Sequence, residues 1–264
     1  MIFESHAHYD DRQFDVDRED LLRVLPSKNV GIVVNVGADM KSSASSVALA
    51  QSYDYIYAAV GVHPDEVESM DAACIDLDRL RQMAQDPRVL AIGEIGLDYF
   101  RKEGHACKDT QKYWFRQQLD LAVELEKPFI IHSRDAAEDT MEILQEFGKA
   151  HPDIKHPGVI HCYSYSPEMA KQYIAMGYYI GIGGVVTFKN AKKLVETAKE
   201  IPLERILVET DSPYLCPEPN RGKRNDSSQI RYVIDKIAAI RGILPEEVEK
   251  QTEINARNMY GLLQ

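Results

Sequence analysis

The chain has few cysteines and no long apolar run. Its 264 residues include four cysteines, none of them in a CxxC pair, so we expect no disulfide framework and favour a reducing compartment. No segment approaches the ~20 consecutive apolar residues that span a bilayer. The first residues also lack the basic stretch and apolar core of a signal peptide. These features predict a cytoplasmic protein with no membrane partner.

Basic residues are also in short supply. Lys and Arg number 31 against 42 Asp and Glu, which gives a net charge of −11. A protein that binds nucleic acid over a broad surface usually carries a basic patch. The charge balance argues against such a surface, so any polyanion must be attracted by a local cationic site.

The length and the lack of linkers predict one domain. No low-complexity tract or internal repeat divides the chain. About 250 residues is the usual length of a single (β/α)8 barrel. Hydrophobic residues make up 44% of the chain, which supplies one large core. We therefore assign residues 1–264 to a single domain.

Short β-branched runs alternate with segments of helical periodicity, a pattern that predicts βα units around a parallel sheet. Either a closed barrel or a doubly wound open sheet fits this alternation. Polar residues cluster at the carboxyl ends of nearly all the strands, where barrel enzymes place their active sites, so an α/β (β/α)8 TIM barrel is favoured. The predicted strands are 2–5, 31–36, 56–62, 89–94, 129–132, 158–161, 178–183 and 206–209.

Five of these strands end in a side chain that can bind a metal. Alternating side chains of a strand share a face, so Glu4, His6 and His8 are expected to point the same way. One such pair is equally consistent with two surface histidines, but buried unpaired carboxylates and imidazoles are costly and five strand ends need a compensating cation. The candidate ligands are His6, His8, Glu94, His132, His161 and Asp211.

Six ligands exceed the needs of one tetrahedral ion. They fit two divalent ions about 3.5–4 Å apart, bridged by a carboxylate and a hydroxide. We expect these cofactors to be Zn²⁺, Mn²⁺ or Mg²⁺, and the histidine-rich ligand set favours zinc, manganese or iron over magnesium. Such a pair lowers the pKa of bound water and clamps the oxygens of an ester during hydrolysis.

Seven short motifs contain these candidates and their neighbours. They are Glu4-Ser5-His6-Ala7-His8, Gly61-Val62-His63-Pro64, Gly93-Glu94-Ile95-Gly96-Leu97-Asp98-Tyr99, His132-Ser133-Arg134, His161-Cys162-Tyr163-Ser164, Glu209-Thr210-Asp211-Ser212-Pro213-Tyr214-Leu215 and Arg221-Gly222-Lys223-Arg224-Asn225. Through them the chain resembles the TatD family of metal-dependent deoxyribonucleases, from residue 2 to residue 262. The resemblance implies metal-dependent cleavage of DNA, commonly as an exonuclease. It also implies a first metal on His6, His8 and Asp211, a second on His132 and His161, and Glu94 bridging both.

One residue departs from the family pattern. The family usually has Asp where this chain has Glu4. Glu4 lies two residues before His6, and Glu209 lies two residues before Asp211. Because strands one and eight are neighbours in a closed barrel, we expect both carboxylates to meet beneath the first metal. Carboxylates in that position orient the histidines that bind a metal.

Several residues near the strand ends are candidates for substrate contact. The resemblance places His63 near the substrate, and a structural histidine is the alternative. Gly181, Gly183 and Gly184 lie at the end of strand seven, where barrels often bind phosphate, with close packing as the alternative. The candidate phosphate ligands are Arg134, Arg221, Lys223 and Arg224, since basic side chains match phosphate oxygens. The candidates for stacking on unpaired bases are Tyr99, Phe100, Tyr163 and Tyr214, with packing of the rim as the alternative.

The predicted reaction is hydrolysis of single-stranded DNA from an end by a metal-bound hydroxide. Glu94 and Asp211 are the predicted catalytic residues, with Asp211 accepting or passing the proton. One rival is an amidohydrolase-like or phosphotriesterase-like hydrolase of a small-molecule or acyl ester on the same barrel, because a fold does not fix a substrate. The other is a catalytically silent relative that binds DNA or protein. No obligate protein partner is expected.

Overall fold

Eight parallel strands follow one another in chain order around a barrel. The computed structural model describes residues 1–69, 76–100, 107–154 and 157–262. Each strand pairs in parallel with the next along the chain. A parallel bridge between Ala7 and Ser212 joins the first strand to the segment after the last, and Ser5 Oγ donates to the Val208 oxygen at 2.9 Å. The predicted (β/α)8 barrel is confirmed. The strands are β1 Ile2–Ala7, β2 Val30–Val36, β3 Ile56–Val60, β4 Val89–Asp98, β5 Phe129–Arg134, β6 Gly158–Ile160, β7 Tyr179–Ile182 and β8 Ile206–Val208.

Helices cover the outside of the barrel, and local sequence sets several of their ends. Asp39 caps the second helix by accepting from the Ser42 amide at 2.5 Å. Gly242 follows the last residue of the ninth helix and has a φ of +67°, a left-handed conformation that glycine tolerates. The helices are α1 Arg18–Val24, α2 Met40–Ser52, α3 Pro64–Ser69, α4 Leu77–Ala84, α5 Lys108–Glu124, α6 Ala137–Ala150, α7 Pro167–Ala175, α8 Lys192–Glu200, α9 Ile230–Arg241 and α10 Pro245–Met259. Among the described residues, no helix combines the length and apolar character needed to cross a membrane.

Buried apolar side chains form two separate clusters. The larger packs the helices onto the sheet and includes Val33, Ile92 and Leu119. The smaller contains alternate residues of the strands, such as Val34 and Leu207, together with residues at the end of α10. Neighbouring strand residues such as Val33 and Val34 therefore belong to different clusters, as expected for a strand that is buried on both faces.

The strand boundaries differ from the predicted ones mainly in β4. It runs to Asp98, four residues past the predicted end, because Leu97 and Asp98 pair with Ser133 and Arg134 of β5. Strands β6 and β8 are short, so His161 and Glu209 follow their strands instead of ending them. The longer β4 places a second carboxylate on the strand that carries Glu94.

Candidate metal centre

All six predicted metal ligands converge at the carboxyl end of the barrel, around the carboxylate of Glu94. Its Oε2 lies 3.4 Å from His6 Nε2 and 3.7 Å from His8 Nε2. Its Oε1 lies 2.9 Å from His132 Nδ1 and 3.6 Å from His161 Nε2. Each oxygen of one buried carboxylate therefore faces a different pair of histidines.

Asp211 completes the group on the Oε2 side of Glu94. Its Oδ1 lies 3.3 Å from His8 Nε2 and 3.8 Å from Nε2 of both His6 and His161. The residue has a φ of +58°, a left-handed conformation that is strained outside glycine, and its amide donates to the His6 oxygen at 3.0 Å. The backbone is thus held so that the carboxylate points at the histidines.

The residues present fit a bound metal. Nitrogen and carboxylate donors of three overlapping groups each lie within 4.8 Å of one another. The Nε2 atoms of His6 and His8 are only 3.0 Å apart, and both rings are largely buried. Histidine and carboxylate donors suit divalent ions such as zinc and manganese. A cation at this point would compensate for charge that burial makes costly.

For His8 and His132, the hydrogen-bond partner of the second ring nitrogen sets which nitrogen turns towards the centre. His8 Nδ1 donates to the Val36 oxygen at 2.8 Å, which leaves Nε2 facing inwards. His161 Nδ1 lies 3.2 Å from Glu209 Oε1, so its Nε2 also faces inwards. His132 has the opposite orientation, with Nδ1 inwards and Nε2 3.0 Å from Asp98 Oδ2. Such contacts hold a ligating histidine in one tautomer.

The charges within this centre are strongly coupled. Burial raises the pKa of the Glu94 carboxyl, but the surrounding imidazoles, His63 and His161 foremost, outweigh burial and hold that pKa well below its ordinary range. Burial likewise opposes protonation of His132, but Asp98 and Glu94 together raise its pKa to about 9. Burial and the neighbouring charge of His132 lower the pKa of His63 to about 3. Glu94 is therefore ionised and His63 neutral at neutral pH.

His63 lies beside the ligands but has a different hydrogen-bond arrangement. Its Nε2 is 3.6 Å from Glu94 Oε1, and it forms a group with Glu94 and His132. Its Nδ1 accepts from the Asp65 amide at 3.1 Å, at the start of α3. In the neutral ring that bond leaves the proton on Nε2, so His63 turns an N–H towards the centre.

Glu4 and Glu209, which were predicted to meet beneath the first metal, have different hydrogen-bond partners in the structure. Glu4 Oε1 accepts from the Thr210 amide at 2.9 Å and from the His6 amide at 3.2 Å, and Oε2 accepts from the Thr210 hydroxyl at 2.6 Å. Among the described residues, no imidazole donates a hydrogen bond to it. A register irregularity between Glu4 and Ala7 breaks the expected alternation of β1. Glu209 instead accepts from the Cys162 amide at 2.6 Å and lies beside His161.

Gly181 makes room for the Glu209 side chain. A Cβ atom on Gly181 would lie 2.5 Å from Glu209 Oε2. Close packing, the alternative to a phosphate cradle, therefore explains this glycine.

The four basic candidates for phosphate contact are exposed, and each already has a neighbour. The guanidinium of Arg134 lies 3.7 Å from the Phe100 ring centre, and that of Arg221 lies 4.2 Å from the ring centre of Phe188. Lys223 Nζ donates to Asn220 Oδ1 at 3.1 Å. Arg224 has the strongest engagement, because it pairs with both carboxylate oxygens of Asp17 at 2.7 and 2.6 Å.

Only two of the four aromatic candidates are available for stacking. Tyr99 is buried and its hydroxyl donates to Asp139 at 2.8 Å, while the buried Tyr163 donates to the Ser166 oxygen at 2.6 Å. These two pack the rim. Phe100 is 58% exposed and Tyr214 is 48% exposed. Of the four candidates, these two offer an accessible ring to an unpaired base.

Asp98 is a site residue that the sequence reasoning missed. It is buried and contacts His132 on the side away from Glu94. The available signal was its spacing, because residues four apart on one strand share a face. The predicted end of β4 at Glu94 hid that relation.

Comparison with known proteins identifies the family of this chain. The family model described as TatD related DNase matches residues 3–261. The chain is 41% identical over 260 residues to the metal-dependent hydrolase YabD of Bacillus subtilis, covering 98% of this chain and 99% of that protein. It is 30% identical over 264 residues to a Salmonella typhimurium protein named 3'-5' ssDNA/RNA exonuclease TatD, covering 98% of each. The crystal structure of YJJV, a TatD homolog from Escherichia coli K12, superposes with a TM-score of 0.90 at 28% identity, covering 98% of each chain. The chain therefore belongs to the TatD family of metal-dependent hydrolases.

Proposed function

We propose that this protein hydrolyses phosphodiester bonds of single-stranded DNA from an end, at a centre of two divalent ions. The observation that carries the proposal is the position of Glu94, whose two carboxylate oxygens face different histidine groups. His6, His8 and Asp211 would hold one ion, and His132 and His161 the other. Glu94 would bridge them.

The protein's own residues have distinct tasks in this reaction. When bound, two ions in this position would lower the pKa of the attacking water and neutralise charge on the phosphate. Asp211 accepts the proton of the attacking water, because its carboxylate is ionised and carries no proton of its own. Burial raises its pKa, but the hydrogen bond from His8 and the charge of His161 outweigh burial and hold that pKa below the ordinary value. The inward N–H of His63 donates to a phosphate oxygen. Both groups are in place before substrate arrives.

The choice of DNA rests on the surroundings of the centre and on a relative. Arg134 and the exposed ring of Phe100 stand together at the rim, and Tyr214 is also exposed. Proteins bind single strands through basic side chains that contact the phosphates and aromatic side chains that stack on the unpaired bases. The Salmonella relative is named a 3'-5' exonuclease of single-stranded DNA and RNA, which supports attack from an end. The net charge of −11 favours a few local phosphate contacts over a long binding track.

The test is a cleavage assay on oligonucleotides labelled at the 5' or the 3' end, with Mg²⁺, Mn²⁺ or Zn²⁺ added. The intact protein should shorten single strands one nucleotide at a time. Glu94→Gln and Asp211→Asn, purified in parallel, should each lose more than about 100-fold, the upper range for residues that only support a metal ligand. His151→Gln, a change remote from the centre, serves as the control.

Two outcomes would contradict the proposal. Equal cleavage by wild type and Glu94→Gln would assign the activity to a contaminating nuclease. Oligonucleotides left intact by metal-loaded protein that hydrolyses a small phosphate or acyl ester would favour the small-molecule rival.

A further inference from the structure

The imidazole of His132 lies between two carboxylates. Its Nδ1 is 2.9 Å from Glu94 Oε1, and its Nε2 is 3.0 Å from Asp98 Oδ2. An imidazole binds a cation through a nitrogen that carries no proton, while the other nitrogen keeps its N–H. The carboxylate that retains the N–H therefore decides which nitrogen of His132 is the ligand.

The register of β4 and β5 creates this arrangement. Gly96 pairs with His132 across the two strands. Glu94 and Asp98 lie two residues before and two residues after Gly96, and both side chains turn towards the His132 ring. Each carboxylate thus reaches one end of the same ring.

Asp98 is held so that only one of its oxygens is available to His132. Its Oδ1 accepts from the Phe100 amide at 2.8 Å. Its main chain is clamped by Gln111, which accepts from the Asp98 amide at 2.9 Å and donates to the Asp98 oxygen at 3.0 Å. The side chain is buried, which limits the access of water to Oδ2.

We propose that Asp98 is a positioning residue, which holds the Nε2–H of His132 so that Nδ1 offers its lone pair to the ion shared with Glu94. His8 and His161 have the reverse arrangement, with Nε2 facing the centre. The inference rests on the proposed assignment of His132 to an ion. It does not depend on DNA being the substrate.

Replacing Asp98 by Asn separates this role from a structural one. The oxygen of the amide must remain beside the Phe100 N–H, so its NH₂ group faces His132 and donates to Nε2. That contact moves the imidazole proton to Nδ1, the wrong nitrogen for the ion, as happens when the carboxylate behind a catalytic histidine is made an amide. Asp98→Ala removes the partner but leaves the ring free to adopt either tautomer.

The affinities of the two variants for metal should therefore fall in an unusual order. Zinc binding to the site with His132 should weaken about 10-fold in Asp98→Ala and about 100-fold in Asp98→Asn, the range for partners of metal ligands. The zinc on His6 and His8 should be held as in wild type. A merely structural role predicts the reverse order, because Asn has the shape of Asp.

The measurement is competitive titration of full-length protein with zinc and a chelator, combined with ¹⁵N spectra of the histidine rings. In zinc-loaded wild type, the His132 resonances, assigned by their loss in His132→Gln, should indicate metal on Nδ1 and a proton on Nε2. Asp139→Asn is the matched control, because that carboxylate contacts Tyr99 and Lys112 but, among the described residues, no histidine.

Two results would overturn the proposal. One is zinc binding by Asp98→Asn that equals wild type or exceeds that of Asp98→Ala. The other is a wild-type spectrum with metal on Nε2 of His132, or with no metal on that ring. Failure to cleave DNA would leave the order of affinities unchanged, so this inference and the proposed function fail separately.

Discussion

Gly96 lies directly opposite His132, so close that a Cβ atom on Gly96 would be 2.0 Å from the His132 main-chain oxygen. Gly96 also has a φ of +142°, which side chains rarely adopt. We predict that Gly96→Ala lowers the free energy of unfolding by about 1–3 kcal/mol, the usual cost of such backbone strain. It should also weaken metal binding by shifting His132. Urea denaturation and metal titration measure the two effects.

Gly148 is the matched control for this substitution. It lies in α6, and a Cβ there would meet nothing within 4 Å. Gly148→Ala should leave the protein unchanged or stabilise it by up to about 1 kcal/mol, because alanine favours a helix over glycine. Similar stability of the two variants would contradict the role assigned to Gly96.

Metal removal should lower the melting temperature. Ligands from five βα units converge on the centre, and a ligand that binds only the folded state stabilises it by about 2.7 kcal/mol at 100 times its dissociation constant. His132→Ala should reproduce part of this loss and respond less to chelation. Calorimetry with and without EDTA tests this, with His151→Ala as the control. An unchanged melting temperature on chelation would mean that folding is not coupled to metal.

The ion pair between Asp17 and Arg224 should affect substrate binding. If Arg224 contacts a phosphate, Asp17 competes for it, because both ends of its guanidinium are now occupied. Asp17→Asn should lower KM by about 1.4- to 5-fold, the worth of an exposed ion pair. Arg224→Ala should raise KM more than it lowers kcat and make the salt dependence shallower.

A second ion pair provides the control for this prediction. Arg81 on α4 pairs with Glu124 on α5, and Glu124→Gln should release it without changing KM. Opposite signs for Asp17→Asn and Arg224→Ala are the expected pattern. Equal KM values in all variants would remove Arg224 from the substrate site.

Stability at alkaline pH should depend on Tyr260. Burial and then the charges of Glu209 and Glu4 raise the pKa of this hydroxyl well above the ordinary value of about 10. The folded state keeps the proton that the unfolded state loses, so this contribution is complete below pH ~10 and is lost as pH rises further, at up to about 1.4 kcal/mol per pH unit. Tyr260→Phe should show a shallower fall in unfolding free energy above pH ~10.

The same variant should be less stable near neutral pH. The Tyr260 hydroxyl donates to the Ser5 oxygen at 2.9 Å, and losing a hydrogen bond of this kind costs about 0.5–1.5 kcal/mol. Tyr232→Phe, at an exposed position of α9, is the control. Parallel pH curves for wild type and Tyr260→Phe would refute the prediction.

Much of the fold and the centre was predictable because the relevant signals are local. A short apolar run in the sequence indicates each strand, and the parallel strands of a barrel bring their carboxyl ends to one face. His6, Glu94, His132, His161 and Asp211 are therefore neighbours in space although they are far apart in the sequence. Local patterns also predicted the alternation of helices and strands, with errors confined to boundaries such as the end of β4.

The contacts that depend on distant pairing were not predictable. Arg224 and Asp17 are 207 residues apart, and nothing near either one marks the other as its partner. The irregularity in β1 that turns Glu4 towards Thr210 arises from pairing with β2 and has no local signature.

The amino-acid sequence by itself determined the alternation of strands and helices and the types of ligand at the strand ends, because each depends on residues close together in the chain. Only the tertiary structure decided that Asp98 and Glu94 hold opposite ends of one imidazole. The reason is that this arrangement depends on the register between β4 and β5. Hydrogen bonds between the two strands set that register, and the absence of a side chain on Gly96 permits the close approach of the strands.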